Sequence, residues 1–210
     1  MPQVARRLRE TGDRRGRTPA FRSVDLVTSR VSVLTLQHAV LRRREFSDGN
    51  ITRFPESHYL DLVVDERSVS ELPLGGHADM VTSLNRAWLP TVPEAIQELL
   101  GQRTAEGLAE GRAALLVCGT CGDLACGALT VALHVAADTI TWSDFAWENG
   151  YESPTRIDGV PEGLAFDRQQ YAAAFIDAYD RTAEFPYDEL AHHGRKFLWP
   201  WQWGWRLPKD

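Results

Sequence analysis

Residues 113–147 read AALLVCGTCGDLACGALTVALHVAADTITWSDFAW, and this stretch decides the fold. An apolar run leads into a glycine-rich turn that holds every cysteine of the chain, and strict alternation of apolar residues follows it. The alternating residues are Leu129, Val131, Leu133 and Val135. Alternation predicts a strand with one buried face, which places His134 on the opposite face. Residues 136–138 then predict a tight turn and a returning strand, so the stretch predicts an antiparallel meander.

Further strands are predicted upstream of the meander. Apolar residues alternate from Val31, but the phase shifts by one at Leu34, which predicts a bulge in one long strand or two separate strands. Residues 59–65 form another apolar run that predicts a strand. The order of the predicted elements contains no strand–helix–strand rhythm, so a parallel sheet is not expected.

Two helices are predicted from their start signals. Thr91 and Glu94 have the spacing of a capping box, and Pro93 lies in the first turn, where its missing N–H is tolerated. Asp167 and Gln170 have the same spacing at the start of the second helix. Together the elements predict an α+β fold, in which a mainly antiparallel sheet carries two principal helices, over a single domain at residues 25–210.

Residues 1–24 stand apart from this domain. They carry seven arginines and few apolar side chains, so they cannot bury enough surface to order themselves strongly. The sequence predicts a flexible basic arm, which is either a solvated tail or a contact for nucleic acid or a protein partner.

Composition restricts the function classes. The formal net charge of -6 argues against nucleic-acid binding by the whole domain. No apolar run approaches the roughly 20 residues of a transmembrane helix, and the arginine-rich start lacks the apolar core of a signal peptide. We therefore expect a cytoplasmic protein in a reducing compartment, where clustered cysteines serve metal binding or redox chemistry more often than disulfides.

The cysteine turn is the strongest candidate for a functional site. Cys118, Cys121 and Cys126 lie within nine residues and are accompanied by glycines at positions 119, 122 and 127. Three thiolates at this spacing can bind one metal ion, and zinc in a structural role is the metal that they favour. The alternatives are a redox-active Cys118/Cys121 pair and three reduced thiols without chemistry. A redox pair usually lies at a helix N-terminus, which depresses a thiol pKa, whereas this pair is predicted between two strands.

A structural zinc ion takes four ligands, and the turn supplies three sulfurs. His77, in a Gly-Gly-His-Ala-Asp segment, is the candidate fourth ligand, with His192, His193, Asp123 or water as alternatives. Asp144 and Glu148 form a second pair of candidate groups, because two carboxylates near a strand end can act as acid and base. Charged residues at the exit of a strand are usually solvated instead.

The C-terminal segment is rich in tryptophan. Alternation at Trp199, Trp201, Trp203 and Trp205 would place four indoles on one side of an extended strand. The rings either pack onto the domain or form a stacking surface that recognises a ligand or a partner protein. Pro200 restricts such a strand to the edge of a sheet.

Residues 113–180 also carry a resemblance. The turn Cys121-Gly-Asp-Leu-Ala-Cys126, the strand motif Trp142-Ser-Asp-Phe145 and the helix start Phe166-Asp-Arg-Gln-Gln-Tyr171 resemble a group of uncharacterised bacterial proteins. The resemblance implies a bacterial, cytoplasmic protein and lends no activity or catalytic residue. The sequence thus favours a non-catalytic interaction, regulatory or immunity-type protein with a protein partner and a zinc-bearing turn. The alternative is a metal- or thiol-dependent oxidoreductase that uses the three cysteines.

Overall fold

The structure is a computed structural model that describes residues 31–42, 44–47, 51–72 and 79–189. The strands in chain order are β1 (Leu34–Leu41), β2 (Arg44–Ser47), β3 (Ile51–Phe54), β4 (Ser57–Val64), β5 (Arg67–Ser68), β6 (Met80–Val81), β7 (Arg112–Cys118), β8 (Ala128–Val135), β9 (Thr139–Glu148), β10 (Thr155–Arg156) and β11 (Gly163–Asp167). The helices are α1 (Val92–Leu99), α2 (Arg168–Ala173) and α3 (Ala178–Ala183). The predicted arm at residues 1–24, His77 and the four C-terminal tryptophans lie outside the described residues.

The predicted meander is the centre of the larger sheet. Strands β6 to β9 pair antiparallel in chain order, and both β10 and β11 pair with β9, which gives six strands. A smaller antiparallel sheet has the order β1-β4-β5, and β2 and β3 form a separate hairpin. All these strand pairs are antiparallel. The α+β fold predicted from the sequence is confirmed.

Helical segments at residues 86–99 and 168–183 contact the strands. A 3₁₀ turn, Arg86–Thr91, precedes α1, and this turn changes the predicted start of the helix. The side chain of Thr91 caps no backbone amide of α1, because its hydroxyl donates to the carbonyl of Trp88 at 3.0 Å. The capping box predicted there is therefore wrong, although Pro93 does lie in the first turn.

Of the capping box predicted at the start of the second helix, only the N-cap is confirmed. Asp167 accepts a hydrogen bond from the backbone N–H of Gln170 at 2.8 Å, as an N-cap should. The side chain of Gln170 does not return the bond and instead donates to the carbonyl of Leu34 at 2.7 Å. Gln170 therefore ties the second helical segment to β1 of the smaller sheet.

Burial along β8 corrects the predicted face pattern. Leu129 and Val131 are fully buried, Leu133 is half-buried, and Val135 is 42% exposed. His134 is exposed, as predicted. The first half of the strand is buried on both faces, whereas its second half extends beyond the core. The strict alternation in the sequence did not indicate where along the strand burial ends.

The phase shift in β1 also has a different cause. Leu34 to Leu41 pair with Val64 to Ser57 without any interruption, so the expectation of a bulge or two strands is wrong. Leu34 and Leu36 face the core, whereas Val31 and Val33 are about half exposed at 54% and 48%. The two valines are simply on the solvent side of the chain.

The aromatic motifs singled out in the sequence form the core between sheet and helices. Trp142 and Phe166 meet edge to face at 4.9 Å between ring centroids, and Phe166 and Tyr171 are 5.3 Å apart. The indole N–H of Trp142 donates to the hydroxyl of Tyr171, which donates to the carbonyl of Leu99. Burial raises the pKa of Tyr171 well above its ordinary value. These residues therefore explain packing rather than chemistry.

Candidate metal centre

The cysteine turn joins β7 to β8 at the edge of the core. Cys118 is the last residue of β7, and Cys126 ends a 3₁₀ turn, Leu124–Cys126, that leads into β8. The N–H of Gly122 donates to the carbonyl of Cys118 at 2.8 Å, which closes the first half of the turn. Asp123 caps the second half, because its carboxylate accepts from the N–H of Ala125 at 2.9 Å.

The turn brings the three sulfurs to one place. The Sγ atoms of Cys118, Cys121 and Cys126 all lie within 4.8 Å of one another, and those of Cys121 and Cys126 are 3.5 Å apart. Thiolates on a tetrahedral zinc ion, with bonds of about 2.3 Å, are roughly 3.8 Å apart. Small side-chain rotations can therefore bring these sulfurs onto one ion. The predicted convergence of the three sulfurs is confirmed.

Two glycines let the turn pack against tryptophans. Gly127 has φ +96, and a Cβ at this position would lie 1.9 Å from Cζ2 of Trp147. Gly122 has φ +70, and its Cβ would meet the ring of Trp88 at 3.1 Å. Both backbone conformations are unfavourable for other residues, so these glycines serve the path of the chain as well as its contact with the two indoles.

The local environment shifts the pKa values of Cys118 and Cys126 in opposite directions. Burial raises the pKa of Cys118, but hydrogen bonds from the backbone of Thr120 and Cys121 and from the other two thiols outweigh it, so the pKa falls below its usual value. The hydrogen bond with Cys121 and the neighbouring sulfur charges raise the pKa of Cys126 to about 11. Cys118 is thus the first of this pair to become a thiolate, and a cation at this position would relieve the repulsion at Cys126.

The described residues provide no fourth protein ligand at the sulfurs. The one cluster of three or more His, Cys, Asp or Glu ligands in the described ranges consists of the three cysteines themselves. Asp123, the alternative ligand in the turn, uses its carboxylate as the cap of the 3₁₀ turn. Cys121 and Cys126 are exposed, so water can reach the sulfurs.

The second pair of candidate groups is part of a buried ion network. Glu148 is 4% exposed and forms an ion pair with Nε of Arg112, which is itself buried. Asp144 accepts from Nη1 of Arg112 at 2.7 Å, and Thr130 accepts from Nη2 at 2.9 Å. The expectation of solvated carboxylates is wrong for Glu148, because it is buried beside Arg112 of β7 and accepts a hydrogen bond from Thr130 of β8. Both carboxylates are thus paired with Arg112, which links β7 to β9 across the sheet.

A further buried carboxylate gave no signal in the sequence. Asp61, in the middle of β4, is 5% exposed and accepts a hydrogen bond from the hydroxyl of Ser68. Its Oδ1 atom is buried without any hydrogen-bond partner. Burial raises the pKa of Asp61, and the hydrogen bond from Ser68 opposes this only in part.

Comparisons with family models, with curated proteins and with solved structures give no match for this chain. The site must therefore be interpreted from its own geometry. Within the described ranges, no helix is both long and apolar enough to cross a membrane.

Proposed function

We propose that this is a non-catalytic interaction protein of the regulatory or immunity type, whose β7–β8 turn binds zinc through Cys118, Cys121 and Cys126. The convergence of three sulfurs within 4.8 Å carries the proposal. Zinc favours thiolate ligands and tetrahedral coordination, and a bound ion would link the two halves of the turn. Water, or His77, which lies outside the described residues, completes the coordination.

The backbone around the sulfurs supports a metal centre. The N–H of Asp123 points at Sγ of Cys121 with a separation of 3.4 Å, an arrangement that stabilises a thiolate. Gly122 permits this bend through its positive φ. The same amide would remain available to the sulfur when a metal is bound, because it occupies no coordination position.

The position of the turn supports a structural rather than a catalytic ion. A catalytic metal needs a pocket for its substrate. Cys121 and Cys126 lie on the surface, and none of the three cysteines lines the cavity of about 610 Å³ that described residues form elsewhere. A metal-stiffened surface turn is suited to contact with another protein, which is the class of partner that we propose.

Thiol redox chemistry is the second candidate, and the 3.5 Å between the sulfurs of Cys121 and Cys126 favours it. Oxidation would form one S–S bond of about 2.05 Å and pass two electrons and two protons to a disulfide-bearing oxidant. This pair, Cys121/Cys126, differs from the Cys118/Cys121 pair expected from the sequence.

Metal analysis of the purified full chain separates the two functions. We expect one zinc per chain after purification without chelator. Each Cys→Ser variant should weaken zinc binding by more than roughly 10–100-fold, which is the loss typical when a residue that only hydrogen-bonds to a metal ligand is removed. Ala125→Ser is the matched control, because it adds the same hydroxyl to an exposed position of the turn without removing a sulfur. Zinc-free protein that gains a Cys121–Cys126 disulfide under mild oxidants, detected by peptide mass, would support the oxidoreductase instead.

A further inference from the structure

The hairpin between β4 and β5 determines on which face of the smaller sheet Arg67 lies. Asp65 and Glu66 form its two-residue turn, and both have positive φ, +48 and +69, as a type I′ turn requires. This turn pairs Val64 directly with Arg67. Directly paired residues of an antiparallel hairpin point to the same face of the sheet. The side chain of Arg67 therefore leaves the backbone on the same face as Val64, which is the core face of the smaller sheet.

A cavity of about 610 Å³ opens beside this arginine. It lies between the end of the β4–β5 hairpin, strand β9 and the segment that precedes β11, so both sheets contribute to it. Its lining is mainly apolar and includes Trp142, Phe145, Val69, Leu72, Val160 and Leu164. The volume is within the range of roughly 300–1,000 Å³ that is usual for small-molecule sites.

The polar groups at the cavity differ in their hydrogen bonds and ion pairs. Asp65 accepts a hydrogen bond from the N–H of Val33 at 3.0 Å, and the hydroxyl of Ser68 donates to Asp61. Arg67 is exposed, and within the part of the chain that the structure describes no ion pair involves it. An unpaired guanidinium next to an apolar cavity complements a ligand with an anionic head and an apolar body.

We propose that this cavity binds a small amphipathic carboxylate, with the carboxylate on Arg67 and the apolar body against Phe145, Val160 and Leu164. A guanidinium binds a carboxylate through two parallel hydrogen bonds, which fixes the orientation of the ligand. Asp65 lines the same cavity, so a singly charged head group experiences less repulsion than a dianion such as a phosphate monoester. The site is separate from the cysteine turn, and its test does not depend on zinc.

Calorimetric titration of the full chain with octanoate, 1-octanol and octylammonium tests the charge preference. We expect one octanoate per chain, with 1-octanol at least roughly tenfold weaker and octylammonium weaker still, because only octanoate can pair with a guanidinium. Equal affinity for the three probes, or no binding of octanoate at millimolar concentration, would overturn the proposal.

Two variants locate the site. Arg67→Gln should reduce octanoate affinity about tenfold, to the level of 1-octanol, and leave 1-octanol unchanged, since it removes the charge and keeps the cavity. Val160→Phe should weaken both ligands, because the larger ring fills the space for the apolar body. Arg42→Gln is the matched control: it is an exposed arginine at the other end of the β1–β4 pair, roughly 26 Å along the strands. Octanoate affinity that is unchanged in Arg67→Gln, with thermal unfolding as in wild type, would refute the assignment.

Discussion

Among the described glycines, Gly127 is the one at which an added methyl group should destabilise the fold most. The new Cβ would lie 1.9 Å from Cζ2 of Trp147, in a residue whose φ of +96 suits glycine. Such a backbone conformation costs about 1–3 kcal/mol for another residue, and forced repacking of a side chain costs about 1–3 kcal/mol more. We expect a loss of about 4 kcal/mol in the free energy of unfolding, equivalent to roughly 12 °C in Tm for a chain of this size.

Gly111→Ala is the matched control for this prediction. Gly111 has φ +75, but a Cβ there meets nothing within 4 Å, so only the backbone term of about 1–2 kcal/mol applies. Urea unfolding of both variants, followed by circular dichroism, gives the two free energies directly. Equal losses for Gly127→Ala and Gly111→Ala would refute the close packing of the cysteine turn against Trp147.

The remaining predictions concern the core and its buried charges. Leu129→Ala should lower the free energy of unfolding by about 2–5 kcal/mol and His134→Ala by less than about 0.5 kcal/mol, and similar losses in urea melts would show the wrong face assignment. Glu148→Ala should cost about 3–5 kcal/mol, because it leaves the buried Arg112 without its closest carboxylate; the double variant Arg112→Met/Glu148→Leu should cost less, and a larger loss would contradict this. Burial raises the pKa of Asp61, so the folded protein holds the carboxyl proton of Asp61 more tightly than the unfolded chain does. The stability that this protonation confers is complete below the ordinary pKa of an aspartate. It is lost as pH rises through the folded pKa. Asp61→Asn should therefore be more stable than wild type at about pH 7 and lose this advantage toward about pH 4 in thermal melts, whereas a pH-independent difference would exclude a titrating Asp61.

The meander was predictable because its signals are local. Alternating apolar residues, a three-residue turn and a glycine-rich connection specify antiparallel neighbours without help from distant parts of the chain. The convergence of the cysteines followed from the same locality, since nine residues with glycines at Gly119, Gly122 and Gly127 leave the sulfurs little room to separate.

The features that escaped the sequence depend on distant partners or on competing local hydrogen bonds. Glu148 looked like a solvated carboxylate because its partner, Arg112, is 36 residues away and meets it only across two strands. Thr91 lost its predicted cap because the preceding 3₁₀ turn offers its hydroxyl the carbonyl of Trp88. Val135 alternates like a core residue, yet it is 42% exposed at the end of β8. For Glu148 and Val135 tertiary packing decided the outcome, and for Thr91 a hydrogen bond within the preceding turn did.

Cobalt substitution tests the proposed zinc site most directly, because cobalt(II) takes the ligands of zinc and reports thiolate coordination by its absorption. Titrating the reduced, metal-free full chain should give sulfur-to-cobalt charge transfer and tetrahedral d–d bands that saturate at one ion per chain. Zinc should then bleach these bands, and serine at any of Cys118, Cys121 or Cys126 should abolish or markedly weaken them. Absence of a charge-transfer band in the reduced wild-type protein, or a band that survives loss of one of the three sulfurs unchanged, would contradict the three-thiolate metal centre.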